Sequence, residues 1–229
     1  MYFGLSEDQI FFQDNVKKFL EDQLTLDTVK KITEGEDDLA KEELHKGLIN
    51  LGINNILIPE EYGGLGLDLL FATAVSQSLG EGVATLPFLG PYIVAPTAIK
   101  YGASDNQKEK LFADMCENLI NFGIGFSEYF GSRDSSGLNI SDNKVTGKTL
   151  FVLDADFASH VMIADNNGQI GVVSLDSNGI EMIDLTTVDK TRTYKEMHFS
   201  DTPIEILDKT KSSSFAVEMA LDAGRIISA

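Results

Sequence analysis

The 229-residue chain is 43% hydrophobic and 24% charged, about one and a half ordinary domains, and it can bury a core without disulfide or metal staples. Its 36 acidic residues against 18 basic ones give a net charge of −18, which excludes docking on nucleic-acid phosphates or anionic lipid. Cys116 is the only cysteine, so a disulfide framework and a cysteine-rich zinc site are both excluded.

The first half predicts helices. Ser6 with Gln9 three residues on is a capping box, and Phe12, Val16, Phe19 and Leu20 follow at helical spacing. Leu44, Leu48 and Leu51 repeat that spacing and stop at Gly52, a C-cap residue. The stretch Pro59-Glu60-Glu61-Tyr62-Gly63-Gly64-Leu65-Gly66 is too glycine-rich to be helical and predicts a loop. An apolar helix is expected from Leu69 to Leu79. Pro87, Pro91 and Pro96 then bracket a short segment around Tyr92 to Tyr101. Ser104 and Gln107 open another helix, with Leu111, Phe112, Met115 and Cys116 on one face.

After Leu119 the period shifts towards two. Strands are predicted at Ile120 to Phe126, Val145 to Leu153, His160 to Ala164, Gln169 to Leu175 and Tyr194 to Phe199. Turn clusters such as Ser141-Asp142-Asn143 and Asp176-Ser177-Asn178-Gly179 separate them, so an antiparallel barrel or sandwich is expected. From Ser212 the helical period returns through Phe215, Met219 and Ile226. It runs to Ala229 without a C-cap glycine or a basic last turn, which predicts that a further helical domain belongs after it.

No apolar stretch approaches the roughly 18 residues a membrane helix needs. Met1-Tyr2-Phe3-Gly4-Leu5-Ser6-Glu7-Asp8 carries no export signal, so a soluble, reduced, cytoplasmic setting is expected. Familiar catalytic motifs fail. Gly64-Leu65-Gly66-Leu67-Asp68-Leu69 has leucine where a dinucleotide fingerprint needs its third glycine. Gly125-Phe126-Ser127-Glu128-Tyr129 imitates a nucleophile elbow but ends in tyrosine, and His45, His160 and His198 stand singly. Asp154 and Asp156 open like a calcium loop but lack its glycine. No metal site is expected.

Taken in order, several segments resemble the acyl-CoA dehydrogenase family. They are Leu5-Ser6-Glu7-Asp8-Gln9, Ile58 to Gly66, Leu86-Pro87-Phe88 and Gly102 to Lys108. Phe126-Ser127-Glu128 with Gly131-Ser132, Asp189-Lys190-Thr191-Arg192 and Leu221-Asp222-Ala223-Gly224-Arg225 complete the series. The resemblance implies an α+β multidomain fold: an N-terminal helical domain over 1–118, a middle β-barrel over 119–208, and over 209–229 the first helix of a C-terminal four-helix bundle cut short. It also implies FAD as cofactor, α,β-dehydrogenation of an acyl-CoA thioester to the 2,3-enoyl-CoA, an electron-transfer flavoprotein as electron acceptor, and a homo- or hetero-oligomer.

Residue by residue, the resemblance assigns the flavin to Ile124, Phe126, Ser127, Ser132, Phe151 and Leu153, and the substrate to Ser132, Asp222 and Arg225. The catalytic glutamate is expected beyond Ala229, so the chain alone is expected to be inactive. Three positions depart from the family. Leu153 stands where a flavin-facing hydroxyl is usual and has no hydrogen to donate. Tyr129 stands where proline is usual, and Gly224 where some members carry the glutamate. Phe151 also reads as plain strand core, Asp222 and Arg225 as a helical ion pair, and Asp189 with Arg192 as a structural turn. Leu153 and Tyr129 keep open a non-catalytic partner subunit of a heteromeric enzyme; a flavin monooxygenase-type relative is a further alternative. Without the bundle, the faces at Phe215, Met219 and Ile226 are expected to lack partners and to drive aggregation.

Overall fold

The computed structural model describes residues 4–133 and 135–229; Met1 to Phe3, the start of the stretch read as lacking an export signal, lie outside them. Helix α1 (Glu7–Gln23) opens on the expected capping box, with Ser6 Oγ accepting from the Gln9 N–H at 3.2 Å and Gln9 Oε1 from the Ser6 N–H at 2.9 Å. Helix α2 (Leu26–Thr33) escapes the periodicity reading because only Val29 and Ile32 of its eight residues are buried. Helix α3 (Asp38–Asn50) buries Leu44 and Leu48. The Pro59 to Gly66 loop follows, and a side chain at Gly64 would place Cβ 2.0 Å from the Ile58 carbonyl oxygen, so only glycine fits.

Helix α4 (Leu69–Glu81) precedes a π-helical turn, Leu89–Val94, that runs without a break into α5 (Ala95–Gly102). The segment between the prolines is therefore one continuous coil of helix with a wide first turn, a form frequent at functional sites. Helix α6 (Asp105–Cys116) closes the helical region and buries Leu111, Phe112 and Met115.

Eight strands follow: β1 (Phe122–Gly125), β2 (Gly137–Ser141), β3 (Lys144–Leu153), β4 (His160–Ala164), β5 (Ile170–Ser174), β6 (Ile180–Asp184), β7 (Tyr194–Pro203) and β8 (Glu205–Ile206). Their order is β6-β7-β3-β1-β4-β5-β8, with β2 paired to β3. The expectation of a purely antiparallel sheet needs one correction: β1 and β4 are parallel, Phe122 opposite His160 through Gly125 opposite Ile163. Such a pair needs a long crossover, which the β2–β3 hairpin supplies. Asp142 and Asn143 turn that hairpin with φ of 51° and 56°, the left-handed pair that matches strand twist. Strand β6 escapes the sequence pattern because four of its five residues are exposed.

The sheet is curled. Ile180 of β6 and Ile206 of β8, at opposite ends of the order, pack on one apolar cluster with Val145, Val152, Val161, Val173 and Met197. At about 4.8 Å per strand a flat sheet would hold those ends nearly 30 Å apart. Barrel-like curvature brings them together.

The last helix, α7 (Phe215–Ser228), turns Ala216, Val217, Ala220, Ala223, Gly224 and Ile227 inward. A Cβ on Gly102 would lie 3.1 Å from Ala216 Cβ, and one on Gly224 3.2 Å from Val94 Cγ2, so α7 lies close against α5 and the π-helical turn. Phe215 and Ile226 are exposed and Met219 is half-buried. No described helix is long and apolar enough to cross a membrane.

Candidate functional site

Strands β1 and β3 meet at a single residue pair, Ile124 opposite Leu153. All of β1 is buried. Ile124 faces the π-helical turn, where a Cβ on Gly90 would come within 3.2 Å of its Cγ1, and Phe126 lies in the core shared by helices and sheet. The chain then makes a 3₁₀ turn, Ser127–Phe130, which sends the Glu128 carboxyl into the interior, 1% exposed. There Glu128 Oε1 accepts from the Leu150 N–H at 2.9 Å, and Oε2 from the Thr149 hydroxyl. The Ser127 hydroxyl lies 2.9 Å from Glu128 Oε2 and 2.6 Å from the Leu150 carbonyl oxygen, so its one proton is divided between two acceptors. No described basic side chain forms an ion pair with Glu128.

The backbone of β3 is irregular just beyond this point. Its register with β7 shifts between Thr149 and Val152, and Phe151 adopts φ of 55°. A left-handed conformation costs a bulky residue about 1–2 kcal/mol. Phe151 gains no core packing in return, since its side is 47% exposed while Leu150 and Val152 on either side are buried. The plain-core reading of Phe151 is therefore corrected: the bulge turns it outward.

Leu153 lines an open cleft of about 420 Å³ at the junction of helices and sheet. Phe88 and Leu89 bound it at the start of the π-helical turn, Ile227 from α7, and Arg192 from the loop before β7. The cleft lining contains no carboxylate. Gly224 carries none, and a Cβ there would already lie 3.2 Å from Val94 Cγ2.

Behind Leu153, Asp154 is buried in a left-handed conformation, φ of 61°, and accepts from the Gly90 N–H at 3.3 Å. Burial pushes its carboxyl up to about 6, against the opposing pull of the Arg192 guanidinium and the Gly90 N–H. Arg192 in turn donates to the Leu86 carbonyl oxygen. The Asp189 carboxylate closes its own turn, accepting from the Thr191 N–H at 2.8 Å and hydroxyl at 2.7 Å, which holds it below the usual carboxylate range. The loop before β7 thus braces the helical region as well as starting the strand.

On α7, Asp222 and Arg225 pair with each other, and the guanidinium lies 5.5 Å from the centre of the Phe130 ring. Tyr129 donates to Glu218 at 2.7 Å. The 3₁₀ turn after β1 is thereby tied to α7 through both aromatic residues. Ser132 stands exposed on the loop that follows. The structure separates the sequence-derived residues into two groups: Phe151, Leu153, Ser132, Asp222 and Arg225 reach the surface or the cleft, whereas Ile124 and Phe126 are packed inside and Ser127 bonds inward. Sequence reasoning missed Glu128, Thr149 and Asp154. Each is polar beside an apolar strand segment, which is the one signal that could have marked them.

The sequence model for "Acyl-CoA dehydrogenase, N-terminal domain" matches residues 6–118. Over that span the chain matches the acyl-CoA dehydrogenase family. Acyl-CoA dehydrogenase FadE26 of Mycobacterium tuberculosis is 25% identical over 146 residues, 61% of this chain and 36% of the relative. Among solved structures, the glutaryl-coenzyme A dehydrogenase glutaryl-CoA complex superposes with a TM-score of 0.82 at 20% identity, covering 99% of this chain and 63% of that one. An acyl-CoA dehydrogenase complexed with FAD from Bacillus anthracis gives 0.76 at 17% identity, covering 96% and 40%. The chain spans less than two thirds of the length of each. At these identities the structural matches establish the family fold: helical region, mixed sheet, final helix.

Proposed function

We propose that the chain holds FAD and one wall of the acyl-thioester site of an acyl-CoA dehydrogenase. The observation that carries this reading is the open cleft lined by Leu153, two residues along β3 from an outward-turned aromatic that the core does not use. The residues fit a flavin in two tiers. Phe151, Leu153 and Ser132 would touch it, and Ile124, Phe126 and Ser127 would support those contacts from beneath. The chemistry a bound FAD supplies is acceptance of the substrate's β-hydrogen as hydride. Leu153, Leu89 and Ile227 would keep water from that transfer. Arg225, once freed from Asp222, is a permanent fork for an anionic part of the CoA, and Ser132 a hydroxyl beside it. Electron-transfer flavoprotein is the acceptor we infer.

Removal of the α-proton needs a carboxylate, and the cleft offers none. The chain alone is therefore expected to bind without turning over. Titration with FAD, followed by quenching of flavin fluorescence, should saturate; addition of butyryl-CoA should then leave the flavin absorbance unbleached. Absence of saturable binding would overturn the reading. It would favour a non-catalytic partner subunit, which the missing hydrogen-bond donor at Leu153 already suggests.

A further inference from the structure

We propose that Glu128 is a positioning residue: its buried carboxyl clamps the bulge of β3 and so presents Phe151 as the platform on which the flavin ring rests. The inference depends on the FAD reading above. Leu150 and Phe151 lie where β3 leaves register with β7, and on the other side β1 pairs with β3 only at Leu153. The Leu150 N–H therefore takes Glu128 Oε1 as its acceptor in place of a strand. The Thr149 hydroxyl binds the other oxygen, so one carboxyl holds two successive residues of β3. The next residue is Phe151, left-handed and half exposed. A strand this close to a core would relax by turning Phe151 inward; the clamp holds the Thr149 side chain and the Leu150 backbone and prevents it. Glu128 itself, 1% exposed, touches no solvent and reaches no cleft, so its effect on a ligand passes through Phe151.

The test uses three variants of the whole chain and two readouts, one of which needs no flavin. Glu128→Leu removes the acceptor at similar volume and should speed amide exchange at Leu150 and Phe151 by tenfold or more, roughly the cost of an unsatisfied buried donor. The same variant should weaken FAD binding about tenfold, through the lost aromatic contact. Glu128→Gln keeps an oxygen for the Leu150 N–H and should restore both readouts to within about threefold of the parent. Phe151→Asn, a residue at ease in the left-handed region, should melt no lower than the parent yet bind FAD about tenfold more weakly. Unchanged exchange in Glu128→Leu, or a lower melting temperature in Phe151→Asn, overturns the clamp. Should Glu128→Leu fail to fold, Phe151→Asn and Glu128→Gln still decide the matter. If the parent itself binds no FAD, the functional reading fails separately, while exchange and melting still judge the clamp.

Discussion

Strands β1 and β3 touch at Ile124 and Leu153, yet they are built on opposite plans. The four residues of β1 are all buried and paired along their whole length with β4, with β3 meeting them at Ile124 alone, and its glycines let Ala155 and Ile163 approach closely. Strand β3 slips register against β7, carries a left-handed phenylalanine and is followed by a left-handed, buried aspartate. One strand is framework. The other gives up regularity at the place where a ligand would meet it, and that is where strain in a fold has functional meaning.

Truncation in the framework strand should have the largest effect. Phe122 is 1% exposed at the centre of the core shared by helices, sheet and α7. Phe122→Ala should cost about 3–5 kcal/mol, read by urea unfolding, against a small change for Phe151→Asn in β3. Equal losses from the two would erase the distinction between the strands.

The end of β3 supplies the next effect, and it depends on pH. In the fold burial raises the Asp154 carboxyl from 3.8 to about 6, so the native state holds its proton where the unfolded chain has lost it. That contribution to stability is complete below pH 3.8 and is lost as pH rises through 6. By neutral pH roughly 3 kcal/mol has been lost relative to low pH, at about 1.4 per unit. Asp154→Asn should remove this slope and gain on the parent as pH climbs from 4 to 7, measured by melting at each pH. A parent stability flat over that window would contradict the assignment.

Much of the framework was legible in the sequence. The Ser6–Gln9 box, the Asp142–Asn143 turn and the β4 boundaries each rest on local chemistry that decides itself within a few residues. What escaped depends on partners distant in the chain. The parallel β1–β4 pairing is chosen by a crossover, and α2 by two residues finding a core assembled elsewhere. In the candidate site, the resemblance pointed to Phe151 and Leu153, but nothing near Phe151 in the chain reveals that a carboxyl more than twenty residues earlier fixes its backbone. The split between touching and supporting residues was equally invisible, because burial is a property of the fold and not of Ile124 or Phe126 themselves.

The smallest effect on stability is the one that separates function from scaffold on α7. Asp222 and Arg225 pair with side chains 62% and 58% exposed, a setting in which an ion pair contributes less than about 1 kcal/mol. Asp222→Asn should therefore shift the melting temperature very little. It also releases Arg225, whose guanidinium still lies 5.5 Å from the centre of the Phe130 ring. If Arg225 grips the anionic part of CoA, the variant should bind CoA at least as tightly as the parent, and Arg225→Ala should lose that binding without loss of stability. Should both variants leave CoA affinity unchanged, the pair is surface decoration on α7. The substrate contacts would then have to be sought along the cleft at Arg192, a permanent cation that lines it with Leu153.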